Sequence, residues 1–159
     1  MAKIRLANEQ DAPIIADIIK KHYEEDYMGF VTFNEGYVKE KMKKNNFYFV
    51  AEIEKQTDGT SVLEIVGCLR ASVVDIDLAE IRNICVEERY RNQGIATQLL
   101  EAVLALLKEK HMRKIVARTI AWNDKAIKFF KTFGFEQEGL FKEHYRKGID
   151  VVQLYKFVK

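Results

Sequence analysis

The chain has 159 residues, 48% of them apolar, a size and composition that suit one compact α/β domain with its own core and leave little room for a second. Lys and Arg number 26 against 24 Asp and Glu, so the net charge of +2 supplies no broad field for gripping nucleic acid or an anionic membrane. Any basic function must be local.

The N-terminal MAKIRLANEQ lacks the apolar core of a signal peptide, and no apolar run approaches the roughly 20 residues that span a bilayer, so a soluble cytoplasmic protein is expected. Ile4 to Ala7 reads as a short strand. Asn8 ahead of Glu9 and Asp11 is an N-cap signal for a helix in which Ile14, Ile15, Ile18 and Ile19 recur at helical spacing, with Pro13 near its start and an end near Tyr23. Glu24 to Phe33 has no period and reads as a loop, followed by a second helix around Glu35 to Lys44. Phe47 to Ile53 alternates as a strand does, Thr57-Asp58-Gly59-Thr60 is a turn signal, and Leu63 to Val74 completes a hairpin in which Gly67 marks a bulge. Ala79 to Val86 is a further strand, and the polar, basic loop Glu87 to Gln93 follows it. From Gly94 the pattern turns helical, with Ile95, Leu99, Leu100, Val103, Leu106 and Leu107 on one stripe. Lys114 to Ala121 is a strand, Asn123 to Phe133 a helix stopped by Gly134, and Phe135 to Tyr145 with Asp150 to Val158 a closing pair of strands around Lys147-Gly148. Cys68 and Cys85 both fall in apolar strands without a CxxC or Cys/His cluster, so buried free thiols and no metal site are expected.

The segment Val86 to Thr97 carries the most chemistry. A strand leads through a short basic loop with one glycine into a helix N-terminus, where free backbone N–H groups and the helix dipole favour an anion such as a pyrophosphate. The segment contains neither GxxxxGK[ST] nor GxGxxG. An ordinary strand-loop-helix turn with Arg89 and Arg91 solvated is the bland alternative.

Arg91-x-x-Gly94-x-Ala96 resembles the (Arg/Gln)-x-x-Gly-x-(Gly/Ala) signature of GNAT (Gcn5-related N-acetyltransferase) enzymes, and Asn123-x-x-Ala126-x-x-Phe129-Phe130-x-x-x-Gly134-Phe135 resembles their second motif. The resemblance runs over nearly the whole chain and is weakest in Glu24 to Lys44. It implies an α/β GNAT fold, a mixed central sheet of about seven strands flanked by about four helices in the order β-α-α-β-β-β-α-β-α-β-β. It also implies acetyl-CoA between the strands Ala79 to Val86 and Lys114 to Ala121. The backbone of Ile84, Cys85 and Val86 would pair with the pantetheine arm, and Arg91, Asn92, Gln93, Gly94, Ile95, Ala96 and Thr97 would form the pyrophosphate loop. Asn123 would contact the cofactor, Phe130 would lie near the thioester sulfur, and Lys125, Lys128 and Lys131 are candidates for the ribose phosphate or a solvated face.

The activity implied is N-acetylation of a primary amine by direct attack on acetyl-CoA, with a carboxylate as general base. Glu80 stands where several family members carry that base. Others place a Glu on the following strand, where this chain has Arg118. The family's usual acid, a tyrosine four residues before Gly-Phe, is Phe130 here, so Tyr145 or His144 substitutes, or the thiolate leaves unassisted, its pKa being near 8.5. Cys85 has no His/Asp partner pattern and reads as core. The tail from Gly139 to Val152 resembles branches acetylating amino acids, amino sugars or polyamines, and the acidic cluster Glu24, Glu25 and Asp26 beside Tyr23 and Tyr27 is a place to attract a cationic amine. A protein or peptide N-acetyltransferase and a non-catalytic acyl-CoA sensor are the rival readings. The expected partners are acetyl-CoA and an amine, with no nucleic acid or membrane and a homodimer through the last elements.

Overall fold

The computed structural model describes residues 1–23 and 33–159. The acidic cluster Glu24 to Asp26, with Tyr27, lies outside them. The elements follow the expected order: strand β1 (Lys3–Leu6), helix α1 (Ala12–His22), α2 (Glu35–Met42), β2 (Asn46–Thr57), β3 (Thr60–Asp75), β4 (Leu78–Val86), α3 (Ile95–Glu109), β5 (Lys114–Ile120), α4 (Asp124–Thr132), β6 (Glu136–Arg146) and β7 (Ile149–Phe157). The strands form a seven-stranded mixed sheet in the order β1-β2-β3-β4-β5-β7-β6. The chain falls into two compact units, Met1–Ser72 with Asn83–Leu106 and Val73–Arg82 with Leu107–Lys159, whose boundaries cut β3, β4 and α3.

In the first unit the expected cap is present. The Asn8 side chain accepts from Gln10 N at 2.9 Å, and Asp11 Oδ2 accepts from Asn8 N at 2.8 Å, a reciprocal capping box. The cap opens a 3-10 turn, Glu9–Asp11, before α1 begins, because Asp11 is drawn back onto Asn8. Ile15, Ile18 and Ile19 of α1 pack in one buried cluster with Val38 of α2 and with Tyr48, Val50, Cys68 and Cys85 of the strands. The hairpin turns at Asp58 and Gly59 with φ of 49° and 77°, the two left-handed residues that a two-residue turn requires. Ala51 faces Gly67 while Glu52 faces Ile65, so the extra residue of the bulge is Val66, one position before the glycine expected to mark it. Gly67 has a packing reason instead. A Cβ there would lie 3.0 Å from Cys85 O and 3.4 Å from side-chain atoms of Ile95 and Leu99.

In the second unit β5 runs parallel to β4 from Leu78–Lys114 to Ile81–Ala117, and antiparallel to β7 along its whole length to Ile120. The β6–β7 pair is less regular than the alternating sequence suggests. Phe141 faces Val151, but the next matched pair is Arg146 with Ile149, so residues 142–145 bulge out opposite Asp150. Asp150 holds that bulge by accepting from Lys142 Nζ and Glu143 N, both at 2.9 Å, with Glu143 at φ 45°.

Arg5 ties β1 to the cap and to β2. Its guanidinium donates to Asp11 at 2.8 and 2.9 Å and to Glu52 at 2.8 Å, and both carboxylates are buried. The hydrogen bonds from Arg5 hold the Asp11 carboxyl below its ordinary value of 3.8, against the opposing effect of burial and with help from the Asn8 amide. A lowered carboxylate contributes stability that is full above the ordinary value and lost as pH falls through the folded one. Asp11→Asn is therefore expected to cost about 1–3 kcal/mol at neutral pH, with the gap to wild type closing below pH 3.8 when urea unfolding is followed at several pH values.

Candidate active site

The end of β4 is shaped by Asn83, whose φ of 50° breaks the extended run inside a strand. Asparagine is poor in strand interiors and tolerates the left-handed region, so its place within AEIRNICV was a readable signal for a kink that the sequence reading passed over. Beyond the kink, Cys85 and Val86 are buried and Ile84 is half-buried. Both cysteines are free and buried, as expected. Burial and a hydrogen bond with Cys68 push the Cys85 thiol well above its ordinary value, the reverse of an activated nucleophile.

From Val86 the chain turns through a 3-10 turn, Glu88–Tyr90, inside the expected loop. Glu87 N donates to Val66 O at 2.8 Å, and Arg91 Nε donates to Val86 O at 3.0 Å. Arg91 is thus a clamp across the loop rather than a free surface cation. Arg89 pairs with Glu64, which also accepts from Tyr90 Oη at 3.1 Å, so its charge is spent locally. Asn92 and Gly94 then take φ of 60° and 78°. Left-handed residues alternating with ordinary ones turn successive N–H groups toward one concavity, an anion-binding nest. The first backbone bond of α3 is Gln98 N to Gly94 O at 3.0 Å, which leaves the amides of Ile95, Ala96 and Thr97 as the unused donors of the first turn. The sequence-predicted residues 91–97 are therefore brought together as one cradle, and each anionic group there gains typically about 0.3–1 kcal/mol from the dipole.

The other predicted residues belong to the second unit. Glu80 is 5% exposed, and its carboxylate accepts from Arg82 Nη2 at 2.5 Å and lies 4.0 Å from Arg118 Nη1. Arg118 is positioned in turn by Gln153, whose Oε1 accepts from Nε at 2.8 Å, and by the Phe141 ring, 5.2 Å from its guanidinium carbon. The arginine found where some relatives carry a base is here a partner of Glu80. Asn123 is the N-cap of α4, its Oδ1 accepting from Ala126 N at 3.1 Å. Phe130 is buried edge-on to Phe129 and Phe135, with ring centres 5.5 and 5.3 Å apart. Lys125, Lys128 and Lys131 are all exposed. His144 and Tyr145 meet edge-on within the 142–145 bulge, ring centres 4.7 Å apart, and Tyr145 is 51% exposed. Among the described residues no cluster of three or more His, Cys, Asp or Glu could hold a metal ion, and no helix is long and apolar enough to cross a membrane.

The profile of the acetyltransferase (GNAT) family matches residues 13–135. The chain belongs to that family. It is 30% identical over 90 residues to an uncharacterised N-acetyltransferase of Chlorobaculum tepidum, covering 57% of this chain and 50% of that protein. It is 26% identical over 114 residues to an L-amino acid N-acetyltransferase of Escherichia coli, covering 64% and 70%. The chain spans about half the length of the first curated relatives it matches. Among solved structures, the ribosomal-protein-S18-alanine N-acetyltransferase of Escherichia coli superposes with a TM-score of 0.77 at 19% identity, covering 98% and 92%, a likeness of fold.

Iodoacetamide at neutral pH is expected to leave Cys68 and Cys85 unlabelled in the native protein and to label both in denaturant, as mass spectrometry would read. Rapid native labelling of Cys85 would contradict its raised pKa.

Proposed function

We propose that the chain is an acetyl-CoA-dependent N-acetyltransferase that acetylates the primary amine of a small molecule of the amino acid, amino sugar or polyamine class by direct attack. The observation that carries this reading is the set of unused first-turn amides of Ile95, Ala96 and Thr97, preceded by two left-handed residues in the loop that follows β4, in a chain of the GNAT family. Those amides suit the pyrophosphate of acetyl-CoA, with the Ile84, Cys85 and Val86 backbone pairing along the pantetheine arm and Arg91 holding the loop in shape. The family pattern adds Asn123 and Phe130 as cofactor contacts. The soluble, cytoplasmic setting and the homodimer remain part of this proposal.

In the reaction the amine nitrogen forms the new C–N bond at the thioester carbonyl, the C–S bond breaks, and the sulfur leaves as a thiolate. Backbone N–H near Val86 stabilises the oxyanion as it develops. The ammonium proton must be removed first, and Glu80 is the proposed base, acting through water because Arg82 and Arg118 already occupy its carboxylate. Tyr145 is the proposed donor to the departing thiolate. A second reading is favoured by one observation. Phe130 has no proton to give, which suits a sensor that binds acetyl-CoA without turnover.

Thiol release from acetyl-CoA against amino acids, amino sugars, polyamines and short peptides tests the class directly. Release with small amines is expected; release with peptides alone would move the reading to a protein acetylase, and binding without release would establish the sensor. Gly94→Trp is expected to abolish acetyl-CoA binding in calorimetry while the fold persists, since the side chain would fill the cradle. Normal affinity in that variant would overturn the loop assignment. Glu80→Gln is expected to lower kcat about 100-fold or more, with acetyl-CoA affinity unchanged and the acidic limb of the pH profile altered. A loss of thermal stability with an unchanged pH profile would make Glu80 a structural ion-pair partner instead. Tyr145→Phe is expected to lower kcat by up to about 10-fold, the rest of the departure being carried by the thiol's own acidity.

A further inference from the structure

On one face of β4 and β5 in the second unit, two arginines share a single carboxylate. Glu80 Oε2 accepts from Arg82 Nη2 at 2.5 Å, and Glu80 Oε1 lies 4.0 Å from Arg118 Nη1, an ion pair too long for a hydrogen bond. Among the described residues neither arginine pairs with a second carboxylate, so the group holds one positive charge in excess. Only 7% of the Glu80 side chain is exposed, but Arg82 keeps 41% and Arg118 30%. A dissolved molecule can reach both guanidiniums.

Arg118 is held in place by groups that leave its charge unanswered. Arg118 and Gln153 are a cross-strand pair, and Gln153 Oε1 accepts from Arg118 Nε at 2.8 Å. The amide is turned that way because its Nε2 donates to Glu138 Oε1 at 2.7 Å, and a carboxylate can only accept. Glu138 is the extra residue of a bulge in β6, between Gln137 and Gly139, and its Oε2 accepts from Lys114 Nζ at 2.6 Å. The carboxylate is thereby committed to the lysine, and the arginine receives a neutral oxygen. The Phe141 ring, 5.2 Å from the guanidinium carbon, is a second neutral support. Arg5, which ties strands together in the first unit, is instead answered by two carboxylates. Among the described residues Gln153 is the one hydrogen-bond acceptor of Arg118, so Nη1 and Nη2 keep the pair of N–H donors that grips a carboxylate.

The matched residues of β4 and β5 end at Ile81–Ala117, so Arg118 stands one position past the last pair and two past Val116, which faces Glu80. The proposed base and the fixed cation are neighbours, with 4.0 Å between their charges. An ammonium and a carboxylate on one carbon carry opposite charges at a comparable separation, and would complete a ring of alternating charge with the two side chains. We infer that Arg118 is the specificity-determining residue of the acceptor site, its Nη1 and Nη2 groups binding the carboxylate of an amino acid whose amine lies toward Glu80. This rests on the small-amine reading of the function and narrows it. A polyamine would add positive charge to a group that already holds an excess, and an amino sugar would leave the guanidinium unanswered. A peptide amine has a carbonyl where the carboxylate is needed.

The test measures thiol release from acetyl-CoA with α-amino acids, their α-amides, the decarboxylated amines and polyamines. In the wild type at least one α-amino acid is expected to exceed its amide in kcat/KM by about 10- to 100-fold, mainly through KM. Arg118→Met is expected to erase that ratio by raising KM for the acid. Arg118→Lys keeps the charge without the fork, guards against a variant that fails to fold, and is expected to lose at least about 10-fold of the ratio. The paired exchange Glu138→Gln with Gln153→Glu preserves side-chain size and moves the carboxylate from Lys114 to Arg118; it is expected to erase the ratio with Arg118 itself untouched. A fall in kcat shared equally by acid and amide, with the ratio kept, is what a mere ion-pair partner of Glu80 would give, and it would overturn the proposal. Equal kcat/KM for acids and amides in the wild type would also overturn it and leave the transferase reading standing. If no amine releases thiol, calorimetric titration of the CoA-bound protein decides: binding of amino acids but not their amides, lost in Arg118→Met, would keep the site and reject the transferase, and no binding would overturn both.

Discussion

The amides of Ile95, Ala96 and Thr97 have no acceptor inside α3, and a fifteen-residue helix concentrates its dipole on them. An exposed helix start can leave such groups to water. Here the preceding loop is built to keep them together and facing outward. Arg91 bonds back to Val86 O, Glu64 holds Arg89 and Tyr90, and Glu87 extends its amide to Val66 O at the bulge of β3. Gly67, next to that bulge, allows the closest approach of β3 to Cys85 O and to Ile95 and Leu99 of α3. The loop, the bulge and the glycine are thus one arrangement, and a side chain at position 67 would press on the strand and the helix that flank the cradle.

Much of this was legible in the residues because the signals were local. Asn8 with Asp11, Asp58-Gly59, Asn123 and the Ile and Leu stripes each act within a few positions, and each formed the element expected of it. The Arg91-x-x-Gly94-x-Ala96 pattern was legible for the same reason, since one left-handed glycine before a helix fixes the chain locally. What escaped depended on partners distant in sequence. The bulge at Val66 is set by the pairing of β2 with β3, and the looped 142–145 segment by Asp150 across the hairpin. The pairing of Glu80 with Arg118 joins residues 38 positions apart by number, on strands that meet only once β5 lies along β4.

The buried charges sort by how completely they are answered. Arg5 meets two buried carboxylates and leaves neither without a donor, a network whose role is to fix β1 against the cap and β2. Glu80 is answered by Arg82, which donates to its carboxylate at 2.5 Å, and by Arg118 at 4.0 Å. Among the described residues Arg70 Nε has no hydrogen-bond partner, while its Nη1 donates to the Tyr37 and Tyr48 hydroxyls.

Phe130 shows the same logic from the apolar side. Its ring lies between Phe129 and Phe135, and Phe135 N donates to Phe130 O at 3.2 Å, so the position is a joint of the α4 core. A tyrosine hydroxyl there would need a partner of its own or would carry the cost of an unsatisfied buried donor, about 1–3 kcal/mol. The phenylalanine removes that cost and with it the family's usual proton source. The loss is small for this chemistry, because a thiol with a pKa near 8.5 is a far better leaving group than the amine that displaces it, so the barrier to be lowered lies in deprotonating and orienting the amine. That shifts the demand on the protein from the leaving group to the acceptor, which is where Glu80 stands in the proposed division of roles.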